Sequence, residues 1–94
     1  MMSSPFVSFS ADPEDPQIKI VGEEEEVIEW SEDFMTPLAT RRIARAVVVL
    51  NGEEVYFFAF KASGIFWICQ RQDGNAPQIA EQLNNMGIPA HIIE

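Results

Sequence analysis

Cys69 and His91 are the only thiol and the only imidazole in the sequence. Nucleophilic catalysis needs a nucleophile held beside a base, with a further group orienting that base. Cys69 lies in the apolar run IFWICQ, where a thiol behaves as a small hydrophobe. His91 stands three residues from the end, in IPAHII. A Cys69–His91 pair on neighbouring strands is the one nucleophile–base pairing to consider, and no third group follows it by spacing. Transition-metal sites take several Cys or His ligands, and one of each is too few. The run Glu23–Glu26 offers oxygens to a hard cation but lacks the alternating acids and the glycine of a calcium loop. Neither GxxxxGK[ST] nor GxGxxG occurs, so nothing cradles a phosphate. Among fifteen acids only Glu54, beside an aromatic run, has a setting that could raise its pKa, and it is expected at the sheet edge near a turn. No catalytic, cofactor-binding or metal-binding residue is assigned, and no enzyme activity is expected.

Charge carries more information than these candidates. The formal net charge is −9 over 94 residues. Residues 1–33 hold ten acids against Lys19 alone, while residues 34–94 balance five acids with five bases. A domain so polarised is a poor direct ligand for nucleic acid, which needs a net basic face. The trio Arg41, Arg42 and Arg45 is expected to pair with the protein's own acidic third. That third favours a basic protein partner. Spaced carboxylates can also imitate nucleic-acid phosphates and occupy a basic groove, which is how some small acidic inhibitors and regulators work. The expected partner-binding residues are Glu23, Glu24, Glu25, Glu26, Glu29, Trp30, Glu32, Asp33 and Phe34.

The elements that position these residues follow from periodicity and turn chemistry. A chain this short makes one domain with a modest core. Residues 1–16, with Pro5, Pro13 and Pro16, read as an N-terminal arm, and 17–94 as a single α+β domain. QIKIV (17–21) alternates as a strand, and Gly22 with the EEEE run suggests a turn. EVIEW (26–30) suits a second strand or the start of a short helix, and Leu38–Arg42 a helical turn. From Ile43 the pattern sharpens. Asn51-Gly52 between IARAVVVL and EEVYFFAF is a hairpin signal that pairs Leu50 with Glu53, Val48 with Val55, Ala46 with Phe57 and Ala44 with Ala59. Lys61–Gly64 turns again, and IFWICQ (65–70) completes a central meander over 43–70. Asp73-Gly74-Asn75 supplies an N-cap, and Pro77 suits the first turn of a helix over about 76–86. Ile79, Leu83 and Met86 form its apolar stripe. Gly87 and Pro89 end it, and 88–93 forms a last short strand. The expected fold is therefore an antiparallel sheet of four to five strands with one C-terminal helix on one face.

One helix covers one face. The other would carry Val47, Val49, Tyr56, Phe58 and Phe60, joined by Phe66 or Trp67 according to register. Burying each such side chain is worth about 1.5–3 kcal/mol, so cover is expected. The first expectation is that the N-terminal segment folds over this face with Phe6, Phe9, Ile28, Trp30 and Phe34. The alternative is an interface, including a homodimer joined through the aromatic face. The single cysteine fits a reducing compartment. The longest apolar run, VYFFAF, is far short of a membrane span, and a cytoplasmic protein is expected.

Overall fold

A computed structural model describes residues 4–62 and 64–94. The order along the chain is β1 (Phe6–Ala11), β2 (Lys19–Trp30), β3 (Pro37–Leu50), β4 (Glu53–Ala62), β5 (Phe66–Gln72), α1 (Ala76–Asn85) and β6 (Ala90–Ile93). The strands form one antiparallel sheet in the order β2-β3-β4-β5-β1-β6. The class is α+β, as the sequence indicates, with six strands among the described residues instead of four to five.

The meander follows its turn chemistry. Asn51 and Gly52 take positive φ values of 51° and 80°, the left-handed pair of a type I′ turn. The register of β3 on β4 is the expected one, from Leu50↔Glu53 through Ala44↔Ala59. β5 then pairs with β4 from Ala62↔Phe66 to Phe58↔Gln70. Ser63, within the expected Lys61–Gly64 turn, lies outside the described residues.

Three expectations fail, each for a physical reason. Residues 6–11 are not an arm: FVSFSA alternates, and β1 enters the sheet between β5 and β6. Pro5 and Pro13 stand just outside the strand, where a missing N–H costs no ladder bond. Gly22 makes no turn. It sits at φ 67° in a bulge where Gly22 and Glu23 together oppose Ala44, and β2 continues through the glutamates to Trp30. Leu38–Arg42 is strand, because its residues complete a ladder with β2 rather than a local helical turn.

The core lies on one side of the sheet. Val7, Phe9, Ala44, Ala46, Val48, Phe57, Ala59, Trp67 and Cys69 point there, under Ala76, Ile79, Ala80 and Leu83 of α1. Small residues in the sheet let the helix approach. Phe9 meets Phe57 edge to face, with ring centroids 4.9 Å apart. The link from β1 to β2 crosses the same side: Ile18 is buried in this core, and the Gln17 side-chain amide donates to the Met86 carbonyl. Helix α1 starts at Ala76 without a side-chain cap from Asn75. Of the expected Asp73-Gly74-Asn75 cap only a turn remains, in which Asp73 Oδ1 accepts from the Asn75 N–H and the Asp73 carbonyl from the Ala76 N–H. The helix ends as its sequence indicates, with Gly87 at φ 82° and N–H groups of Ile88 and Gly87 donating to the Leu83 and Asn84 carbonyls.

Leu83 is fully buried where α1 meets the sheet. Leu83→Ala is expected to lower the unfolding free energy by about 2–5 kcal/mol. Urea denaturation should register this as a lower midpoint at unchanged slope.

Candidate functional site: an acidic arm and an open sheet face

The β2–β3 hairpin outruns the rest of the sheet. β3 pairs with β4 only as far as Ile43, whereas its pairing with β2 continues to Pro37. Residues 22–42 therefore project as a two-stranded arm. The radius of gyration is 15.0 Å, against about 12 Å for a compact chain of this length.

Acidic residues dominate this arm. Glu23, Glu24, Glu25, Glu26, Glu29, Glu32 and Asp33 lie on it, against Arg41 and Arg42. Glutamate is a poor strand former, so the EEEE run needs cross-strand compensation. Register supplies it by setting Glu25 opposite Arg42 and Glu26 opposite Arg41. Arg41 Nε donates to Glu26 Oε2 at 2.6 Å, and Arg42 Nε donates to Glu23 Oε1. These half-exposed pairs are worth about 0–1 kcal/mol each. The Arg41 guanidinium also stands 5.9 and 5.5 Å from the ring centroids of Phe58 and Phe60, fastening the arm to the sheet. Glu24, Glu25, Glu29 and Glu32 are exposed and make no ion pair among the described residues. The expected pairing of the arginine trio thus holds for Arg41 and Arg42 and not for Arg45.

The arm ends in a tightly bonded loop. The Ser31 N–H donates to the Thr36 carbonyl, and the Phe34 N–H to the Ser31 carbonyl. Asp33 Oδ1 accepts from the Ser31 hydroxyl and from the Met35 N–H. Those two bonds hold the Asp33 carboxyl below its ordinary pKa, the Ser31 hydroxyl contributing most. Phe34 sits at φ 58°, a costly conformation for an aromatic residue. The result is an apolar tip in water, with Phe34 74% and Met35 77% exposed. Trp30, Ile28 and Leu38 are exposed close by. From the sequence Ile28 is expected, with Trp30 and Phe34, to cover the aromatic face, and instead all three are exposed on the arm. Sequence reasoning missed Met35 and Leu38, because their exposure depends on how far the β2–β3 ladder outruns β4. Phe-Met between acids and Thr-Pro was the available signal.

The second surface is the side of the sheet away from α1. Register places Val47, Val49, Tyr56, Phe58 and Phe60 on it, as expected, with Phe66 and Ile68 from β5. Trp67 faces the core instead, with Lys61 Nζ 5.6 Å from its ring centroid. The N-terminal segment does not cover this surface. Phe9 is buried under the helix, Phe6 is exposed in β1, and Ile28, Trp30 and Phe34 are out on the arm. Tyr56, Phe58, Phe66 and Val49 remain exposed, while Val47 is buried at 6% between its cross-strand neighbours Lys19 and Tyr56.

Cys69 and His91 do not meet. β1 separates their strands, and Cys69 faces the core while His91 pairs with Ser8 on the opposite side. Burial pushes the Cys69 thiol up to about 12. Asp73 is held below its ordinary value by the Asn75 N–H and then by Arg71, whose Nε donates to Oδ2 at 2.9 Å. No group of three His, Cys, Asp or Glu side chains among the described residues is placed to hold a metal ion. Among the same residues, no helix is long and apolar enough to cross a membrane. No family model, curated protein or solved structure matches this chain.

Two expectations follow. The native Cys69 thiol should resist alkylation at pH 8, and react only after denaturant unfolds the chain. Its raised native pKa also makes stability fall as pH climbs from 9.0 towards about 12, where the unfolded thiol ionises and the native one does not. For Asp33 the sign is opposite. Its loop contribution is complete above the ordinary carboxylate range and is lost as pH falls through the lower native value. The Met35 amide resonance should titrate with a midpoint below that range, and Asp33→Ala should abolish the transition.

Proposed function

We propose that this protein is a non-enzymatic binding module, an inhibitor or regulator whose acidic arm engages a basic protein partner. The observation that carries this reading is the arm itself. It is an exposed carboxylate ribbon ending in Trp30, Phe34 and Met35, apolar side chains left 45%, 74% and 77% exposed. Aromatic anchors inside a polar rim are where binding energy concentrates. Carboxylates steer a basic partner towards them and make capture depend on salt.

Nucleic-acid mimicry is the sharper form of the proposal. Extended backbone sends the Glu24–Glu26 side chains alternately to the two faces of the ribbon, so carboxylates on one face recur every ~7 Å. Counted over both faces, the run carries one carboxylate per ~3.4 Å of strand, the linear density of phosphates along one DNA strand. Glu23 and Glu26 are partly neutralised by Arg42 and Arg41, while Glu24, Glu25, Glu29 and Glu32 offer their full charge to a basic groove. The remote, buried Cys69 and the distant His91 favour binding over catalysis. A lone buried thiol also suits the reducing conditions of a cytoplasm.

Affinity capture from lysate at low and high salt tests the reading, with three variants beside the wild type. Glu24, Glu25 and Glu29 reversed to Lys should lose a discrete set of basic proteins and flatten the salt dependence. Trp30→Ala with Phe34→Ala should lose the same set at unchanged charge. Reversal of Asp12, Glu14 and Asp15, which lie outside the arm, should leave that set bound. Equal losses from both charge reversals, with the tip variant unaffected, would mean ion exchange and overturn the proposal.

A further inference from the structure

We infer that the open side of the sheet is a self-association face, on which two copies of this chain join about a two-fold axis. Three observations select a second copy as its occupant.

The first is charge. Outside the arm, register puts Lys19 and Arg45 on this side together with Glu54, two bases against one acid. Within a protein of net charge −9, this face carries almost no net charge. A basic partner drawn to the arm finds no field to hold it here, whereas a second copy meets no repulsion.

The second is area. Strand rise and spacing allot each residue about 16 Å² of sheet, so the ~40 strand residues outside the arm span roughly 600 Å² in projection. Side-chain relief adds to that figure. A stable complex takes about 600–1,000 Å² from each partner, so the face is large enough for a dimer.

The third is shape. A two-fold interface brings one patch against itself, so the patch must carry both ridge and hollow. Tyr56 and Phe66 stand exposed towards opposite ends of the β4–β5 pair and supply the projecting side chains. Where the arm leaves the sheet, Val21, Gly22, Glu24, Ile43, Arg45 and Phe58 are among the residues lining a hollow of about 440 Å³. Gly22 contributes no side chain to fill it. Phe58, 44% exposed on β4, forms one wall of the hollow.

Sedimentation equilibrium over a concentration series is the test. Wild type should reach twice the 10.6 kDa chain mass. Phe58→Lys should remain at the chain mass with an unchanged far-ultraviolet spectrum. A second reading keeps the result decisive if Phe58→Lys fails to fold. Val49→Cys places one reactive thiol on the face, because native Cys69 is buried and protonated. Its alkylation should slow several-fold as protein concentration rises, while that of Phe34→Cys on the arm should not change. A wild type at the chain mass throughout would overturn the inference and leave the face to a different protein. A dimer that persists in Phe58→Lys, or one that protects Phe34→Cys instead of Val49→Cys, would overturn it equally by placing the contact elsewhere.

Discussion

A helix of ten residues is about 15 Å long, and a six-stranded sheet is about 24 Å across. One such helix, with the short link through Ile18 beside it, can shield one side of that sheet and no more. Everything else in the structure is arranged around this shortage of cover. The shielded side takes the small residues and the largest buried rings, Trp67, Phe9 and Phe57, so the modest core of a short chain is concentrated in one layer. Residues that alternate with them in the same strands are left facing water. Alternation makes the two sides inseparable, since a one-residue slip of β4 would bury Tyr56 and Phe58 only by exposing Phe57 and Ala59.

The arm shows the same shortage in another form. An isolated two-stranded ribbon is marginal in water, and beyond Ile43 no third strand supports β2 and β3. Local devices replace a core there. Arg41 and Arg42 reach across to the glutamates, the Arg41 guanidinium leans over Phe58 and Phe60, and the loop from Ser31 to Thr36 closes on the Asp33 carboxylate. Each contributes little, and all are at least partly exposed. Opening of this arm therefore costs less than opening the sheet, as is usual for elements that move when a partner binds.

Local chemistry was legible in the sequence where it acts locally. Asn51-Gly52 determines its turn and thereby every pair along β3 and β4, and the stripe of α1 with Gly87 behind it defines a helix with its end. Longer-range decisions left weaker marks. β1 contributes six residues between prolines, and its place between β5 and β6 depends on strands some sixty and more residues away. Gly22 followed by four glutamates has the composition of a turn. It becomes a bulge only because Arg41 and Arg42 stand at the right register on another strand, which composition cannot convey. Of the surfaces, the membership of the aromatic side could be read from alternation. Its exposure could not, because that depends on where the N-terminal residues go.

Charge and apolarity are separated in space to a degree that one-third of the sequence already suggests. Excess acid sits on the arm and on the link at Asp12–Asp15, while the open sheet side beyond the arm carries only Lys19, Arg45 and Glu54. Had the carboxylates been spread over the apolar side, each would have cost desolvation wherever that side became covered, by any occupant. Keeping them on an extension lets the acidic ribbon stay in water while the sheet loses its own. The bulge at Gly22 resets the parity of β2, so that Glu24 and Glu26 face the aromatic side and Glu25 faces away from it. Glu26 is met there by Arg41, whose guanidinium also stands over Phe58 and Phe60, so the place where the arm's acid reaches the aromatic rows is the place where a base is supplied.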